Sequence, residues 1–397
     1  MPKEIPMAQS DLTATLSKEE ARSFLDRGFT RRQLGRISSV LTAGAALPFY
    51  NEFAMAQDEQ RRTRAVMPPD AVRISSNENP LGPCAEGLEA IYKVAKYGGR
   101  YQPFNEQGEF IKTVAAVEGV KEEYVAPYAG SSDPLHRATA AFVSPTRSFV
   151  MSDPGYMAGA GTAQFIGAKV IKVPLKKDFS HDVEAMLKAD PNAGVIYICN
   201  PNNPSGTLTS RKEIEYVLAN KPKGSILLLD EAYIHFSTAE PGSDLVAADK
   251  DVVILRTFSK AYGMAGIRAG FALGRPDLLA KMRPHGAGML PITGLACATA
   301  SMKVKNLMSE RRRINKEIRE DVFAFLDKKG YKYVPSESNK FMLETGKAGA
   351  ETVKAFAGEK VFIGRVWPVW PTMVRVTVGT QDEMNKFKAA LVKVLPV

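Results

Sequence analysis

From about residue 124 to residue 273 the chain alternates short apolar runs with stretches of helical periodicity. The runs span residues 124–129, 148–151, 169–173, 194–199, 226–230, 252–257 and 268–273. Several are almost continuously apolar, the pattern of strands covered on both faces. Between them, residues 134–143, 183–188 and 214–219 repeat apolar positions at helical spacing. This alternation predicts an α/β fold with a large, mostly parallel mixed sheet. After residue 302 the pattern changes. A long charged helix over 302–329, stopped by Gly330, opens a smaller α+β part that Pro335, Gly364, Pro368 and Pro371 divide into strands and turns. Residues 65–99 carry no long element in this reading and are expected to pack against the C-terminal part. The division is therefore 57–99 as a segment joining the small domain, 100–301 as the large domain and 302–397 as the small domain.

Composition narrows the function classes. Of 397 residues 45% are hydrophobic and 24% charged, which suits a folded globular chain. No run of about 18 apolar residues is present, so a polytopic membrane protein is excluded. The net charge of +10, from 53 basic and 43 acidic residues, is scattered. Its densest run, Arg311-Arg312-Arg313, sits among Glu310, Glu317 and Glu320, as on a solvated helix face, and no nucleic-acid partner is expected. Cys84, Cys199 and Cys297 are odd in number and far apart, which excludes a disulfide framework. His136, His181, His235 and His285 are isolated, and no metal site is expected.

The N-terminus has its own logic. Thr30-Arg31-Arg32-Gln33-Leu34 precedes a weakly apolar stretch over 37–49 and then Ala54-Met55-Ala56. A charged segment, a hydrophobic segment and a small-residue cleavage pattern follow in the order of an export signal, and the paired arginines resemble the twin-arginine type. Residues 1–56 are expected to be such a signal. That places the protein in the periplasm with no membrane span after cleavage, or in the cytoplasm if the leader is not a signal.

Ligand groups in open α/β sheets gather at the carboxyl ends of strands. Those ends carry, in order, Gly130-Ser131-Ser132-Asp133; Asp153-Pro154-Gly155-Tyr156; Asn200-Pro201-Asn202-Asn203-Pro204-Ser205-Gly206-Thr207; Asp230-Glu231-Ala232-Tyr233; and Arg256-Thr257-Phe258-Ser259-Lys260, with Arg268 eight residues on. Each piece alone is ordinary. Asn-Pro-Ser-Gly is first of all a turn, and Ser131 alone reads equally as a helix cap. Their joint order resembles the fold-type-I pyridoxal-phosphate enzymes, specifically the class I/II aminotransferases and their histidinol-phosphate aminotransferase branch, over residues 75–380.

The resemblance implies roles. Lys260 matches the lysine whose amine bonds the cofactor's aldehyde and then moves protons. Asp230 matches the carboxylate that keeps the ring nitrogen protonated, and Asn203 and Tyr233 match the groups on the ring hydroxyl. Tyr156 is the expected stacking aromatic. Ser131 and Ser132 at a helix N-terminus, the hydroxyls of Thr257 and Ser259, and the Arg268 guanidinium would hold the phosphate, with Gly130 allowing close approach. Arg375 matches the arginine for the substrate carboxylate; without the resemblance it reads as an edge-strand arginine. Asn77 lies in the substrate-side segment Ser76-Asn77-Glu78-Asn79-Pro80-Leu81-Gly82, and Arg365 is placed to line the distal pocket. Tyr101, in Arg100-Tyr101-Gln102-Pro103, resembles a tyrosine that reaches the neighbouring subunit's phosphate, which implies a homodimer. The expected reaction moves an amino group between an amino acid, or a histidinol-phosphate-like amine, and a 2-oxo acid. A decarboxylase or oxidase-like enzyme on the same scaffold is the alternative, sharing Lys260 and Asp230. Export sets the chain apart from cytoplasmic histidine biosynthesis, and the aromatic stretch over 364–370 departs from the branch pattern.

Overall fold

In a computed structural model, residues 18–31, 33, 67–286 and 289–396 are described. The seven apolar runs form the seven strands of one sheet: β2 (Val125–Tyr128), β3 (Phe149–Asp153), β4 (Val170–Pro174), β5 (Val195–Cys199), β6 (Ile226–Asp230), β7 (Val252–Thr257) and β8 (Gly270–Gly274), following β1 (Val72–Ile74) in the chain. Their order is β2-β8-β7-β6-β5-β3-β4. β4, β3, β5, β6 and β7 run parallel, whereas β8 is antiparallel to both β7 and β2.

The reason these runs make strands is visible in their two faces. Val195, Tyr197, Cys199, Leu228 and Leu255 join the core on one side, while Ile196, Ile198, Leu227, Leu229 and Ile254 join the core on the other. A period of two with apolar residues on both faces is what a helix-covered sheet requires. Register then fixes the functional edge. Cys199 pairs with Asp230 and Asp230 with Leu255, so the carboxyl ends of β5, β6 and β7 lie side by side.

The remaining strands belong to the C-terminal part and its partner segment. β9 (Tyr333–Val334), β10 (Lys340–Glu344) and β12 (Met373–Thr377) form an antiparallel sheet ordered β12-β10-β9, and β11 (Val361–Ile363) pairs in parallel with β1. Phe341, Leu343, Val374 and Val376 pack with Val322, Leu326, Phe356 and Phe387 of the covering helices. The charged helix starts at Leu307, not at residue 302, because Asn306 takes a left-handed conformation (φ 66°) that separates it from the helix Ile292–Met302. Gly330 ends it at φ 78°, a C-terminal cap that suits glycine.

Residues 65–99 differ from expectation. β1 does pair with the C-terminal part, but Ala85–Ala95 is an 11-residue helix. It packs on Ile292–Met302, close enough that a Cβ on Gly87 would lie 2.7 Å from Ser301 Oγ and 2.9 Å from Cys297 Sγ. Part of the segment expected to be a leader is also built into the fold. The helix Lys18–Asp26 leads to Phe24 and Phe29, both buried in a core cluster of the large sheet. Arg27 Nη2 donates to the carbonyls of Ala140, Ala141 and Val143 at 3.2, 2.8 and 2.9 Å, where the helix Ser132–Phe142 ends and a cation is favoured. Arg32, the whole apolar stretch over 37–49 and Ala54-Met55-Ala56 lie outside the described residues.

Beside the functional edge, Arg256 is fully buried with Glu231 at 2.6 Å and Glu118 at 3.0 Å. Two carboxylates satisfy one guanidinium, and the group ties β6, β7 and the helix Glu106–Glu118 together.

Candidate active site

The strand ends enclose a cavity of about 340 Å³. Ten of the residues singled out in the sequence line it: Ser131, Ser132, Tyr156, Asn203, Asp230, Tyr233, Thr257, Ser259, Lys260 and Arg268. The chain brings them from five separate loops, each placed by the strand before it.

Asp230 ends β6 and is almost fully buried. Its Oδ2 accepts from the Tyr197 hydroxyl at 2.9 Å and its Oδ1 from the Ala232 N–H at 3.1 Å. Burial pushes its pKa up to about 6, opposed by these bonds and by the charges of Lys340 and Lys260. Lys260 lies one turn past β7, buried, its Nζ 3.4 Å from the Ser76 carbonyl and 5.6 Å from the centre of the Tyr233 ring. The Tyr233 hydroxyl accepts from Asn77 Nδ2 at 3.0 Å.

One end of the cavity is a cationic cradle. Arg268 has φ 66° and its guanidinium donates to Ala265 O at 2.8 Å, Ala129 O at 2.9 Å and Ser259 Oγ at 3.3 Å. Thr257 Oγ1 donates to Ser259 Oγ at 2.9 Å and accepts the Ser259 N–H at 3.1 Å. Gly130, at φ 99°, must be glycine-like here, since a Cβ would fall 2.5 Å from Arg268 Nη2. Ser131 precedes the helix Ser132–Phe142 without a side-chain capping bond, leaving that N-terminus to a ligand.

At the other side, Arg375 of β12 is fully buried. It donates to Asn203 Oδ1 at 3.0 Å and to the Ser75 carbonyl at 2.7 Å. Gly364 permits this packing, because a Cβ there would lie 2.8 Å from the Arg375 carbonyl and 3.3 Å from its Nε. Asn77 is buried at φ 54° and bonds Thr377 Oγ1 through its N–H at 2.9 Å. Arg365 stands off the cavity lining, 4.7 Å from the Trp367 ring whose centre is 5.5 Å from Arg375. Trp367 itself is buried against Val334 and Met342, and Trp370 meets Phe179 edge-on at 5.4 Å. Tyr101 is 81% exposed and does not line the cavity. Two residues near the site escaped the sequence reading: Tyr197 and Lys340. Tyr197 was legible in principle, as the one polar tip inside the apolar run Val195–Cys199.

The donor set fits pyridoxal phosphate. A helix N-terminus, two hydroxyls and a guanidinium seated over Gly130 suit a phosphate, and a buried carboxylate suits a protonated ring nitrogen. The Lys260 amine suits an aldehyde. Fold and site together define an enzyme of α/β type that works through a bound, phosphate-bearing carbonyl cofactor.

The sequence model of the family described as aminotransferase class I and II matches residues 69–391. The chain belongs to that family. It is 30% identical over 338 residues to histidinol-phosphate aminotransferase of Moorella thermoacetica, covering 82% of this chain and 86% of that protein. It is 34% identical over 330 residues to the aromatic amino acid aminotransferase of Cutibacterium acnes, covering 81% and 92%. The crystal structure of Sinorhizobium meliloti histidinol-phosphate aminotransferase in complex with pyridoxal-5'-phosphate superposes with a TM-score of 0.76 at 26% identity, covering 88% of this chain and 95% of that one. These matches decide for amino transfer over the decarboxylase or oxidase-like alternative.

The raised pKa of Asp230 gives a signed prediction for the protein freed of cofactor. A carboxyl whose folded pKa lies above its unfolded value of about 3.9 contributes stability at low pH that is lost as pH rises through the folded value, here about 6. Asp230→Asn is therefore expected to stabilise the cofactor-free protein at pH 8 by about 3 kcal/mol in urea denaturation, with little gain near pH 4. Equal stability of the two proteins at pH 8 contradicts this account.

Proposed function

We propose that this aminotransferase transfers an amino group between histidinol phosphate or an aromatic amino acid and a 2-oxo acid. The observation that carries the reaction class is Lys260 and Asp230 facing one cavity beside a phosphate cradle. The names of the curated relatives support the substrate classes. Pyridoxal phosphate supplies an aldehyde that condenses with amines and a protonated ring that withdraws electrons from the bond cleaved at Cα. Lys260 Nζ is the amine that would hold that aldehyde and, once freed by a substrate amine, would carry the proton taken from Cα. Asp230 would hold the proton on the ring nitrogen, and Tyr233 and Asn203 would bind the ring oxygen. Arg375 would hold and orient the substrate's anionic group, the carboxylate of an amino acid or the phosphate of histidinol phosphate. Arg365, beyond Trp367, would be the second contact for that phosphate.

The test is spectroscopic. Purified protein with added pyridoxal phosphate is expected to absorb in the visible, to bleach with one amino donor of a panel that includes histidinol phosphate, and to regain the band with a 2-oxo acid. Release of carbon dioxide, or a band that no donor bleaches, contradicts amino transfer.

We further propose a homodimer in which Tyr101 enters the partner's phosphate site. Exposed Tyr92, Tyr97, Tyr101, Phe104, Leu81 and Leu88 support it, large apolar side chains gathered within residues 81–104, with Tyr97 and Phe104 in edge-to-face contact. Sedimentation is expected to give a dimer, with Tyr101→Phe weakening cofactor binding about tenfold, the worth of one hydrogen bond to a charged group. A fully active monomer contradicts the proposal.

Export by the twin-arginine route is the third part of the reading. Arg31-Arg32 ahead of the apolar stretch supports it, and a route that carries folded cargo suits an enzyme loaded with cofactor in the cytoplasm. Cleavage after Ala56 would remove the docked helix Lys18–Asp26 together with Phe24 and Phe29. Intact mass of the periplasmic protein is expected to start at Gln57. A full-length chain confined to the cytoplasm contradicts export.

A further inference from the structure

A second buried lysine stands beside the site without a place in the reaction described above. Lys340 opens β10 and is completely buried. Its Nζ lies 3.2 Å from the centre of the Tyr233 ring and donates to Ser338 Oγ at 2.9 Å. It is not among the residues that line the cavity. A lysine is almost never fully buried unless something recompenses the lost hydration. Here an aromatic face supplies part of that recompense, and a desolvated ammonium on a ring face interacts strongly.

The position is fixed by the small sheet. Lys340 pairs across the strands with Thr377, whose Oγ1 accepts from the Asn77 N–H. Asn77 Nδ2 in turn donates to the Tyr233 hydroxyl. The small sheet therefore grips Tyr233 twice, through its oxygen and through its ring. Lys260 stands 5.6 Å from the same ring centre, so the phenol lies in the field of two ammonium groups.

We propose that Lys340 is a positioning residue for amino transfer: its ammonium, carried by the small sheet, clamps the ring of Tyr233 and holds the phenol as a strong hydrogen-bond donor to the ring oxygen of the cofactor. This rests on the cofactor reading above. A cation on the ring favours the electron-rich phenol oxygen, so the phenol parts with its proton more readily. A stronger donor to the cofactor's oxygen, together with the direct field of Lys340, lowers the proton affinity of the cofactor–lysine linkage. The other charged or titratable groups in this field are Asp230, Tyr197 and Cys199 at the strand ends, Lys260, and Arg375 on β12. Lys340 also favours ionised Asp230 and opposes the burial that raises the Cys199 thiol.

The holoenzyme's visible absorbance, titrated against pH, reads this directly. In Lys340→Met the midpoint is expected to move to higher pH, a gain of about tenfold in proton affinity, and Lys340→Arg is expected to return it most of the way. A role confined to packing would change the melting temperature and leave the midpoint in place. A Lys340→Met holoenzyme that titrates like the wild type overturns the proposal, as does an arginine variant that behaves like the methionine one. If Lys340→Met does not accumulate as folded protein, Ser338→Ala removes only the hydroxyl that aims the ammonium. Its midpoint is expected to move the same way by about two- to threefold in proton affinity, and an unmoved midpoint there overturns the proposal equally. Absence of a visible band in the wild type would instead defeat the cofactor reading itself, and this inference with it.

Discussion

A carboxylate buried at the end of an apolar strand is the constraint on which the site rests. Asp230 follows Ile226-Leu227-Leu228-Leu229, a strand covered on both faces, so its charge sits where water does not reach. Leaving an ionised group there without compensation costs several kcal/mol. Tyr197 and the Ala232 N–H recover part, and Lys260 and Lys340 act in the same direction. What is left over is a standing preference for a cationic partner in the cavity. A protonated ring nitrogen would meet that preference, and a proton held there would make the ring an electron sink. The same burial that weakens the empty fold therefore sets up the chemistry.

The second organising fact is that the site is shared between the two sheets. The large sheet provides Lys260, Asp230, Asn203, Tyr233 and the phosphate cradle. Arg375 of β12 and Asn77 beside β1 reach across to Asn203 and Tyr233. The Asn-Pro-Ser-Gly turn is tied to the same sheet, since the Glu337 N–H donates to the Gly206 carbonyl at 2.9 Å. The side chains proposed for substrate and cofactor are thus already bonded to one another. Anything that moves the small sheet relative to the large one changes both contacts together.

Much of this was legible in the sequence, for identifiable reasons. A strand covered on both faces has few alternatives, so Val195–Cys199, Ile226–Asp230 and Val252–Thr257 announced themselves, and the polar clusters following them marked the ligand edge. The helix Ala85–Ala95 did not. Its inward positions Gly87, Ala90, Ile91 and Val94 follow helical spacing, yet two of the four are too small to register as apolar. Asn306 broke one expected helix into two through a backbone conformation that composition does not reveal. Lys340 was invisible for a different reason. A lysine at the start of a strand reads as solvent-facing, and only the meeting of β10, β12 and Tyr233 in space buries it. Phe24 and Phe29 belonged, in the sequence, to a leader, and their burial beside Phe142 emerges from tertiary packing alone. Tyr101 lies on the exposed surface, outside the cavity lining.

The central claim is that one particular lysine carries the cofactor. Borohydride reduction of the protein incubated with pyridoxal phosphate, followed by digestion and peptide mass mapping, tests it most directly, because reduction makes the cofactor–amine bond permanent. The account predicts one reduced cofactor per chain, on the peptide containing Lys260 and not on the neighbouring buried Lys340. A label on Lys340, on surface lysines alone, or on no peptide at all would contradict it.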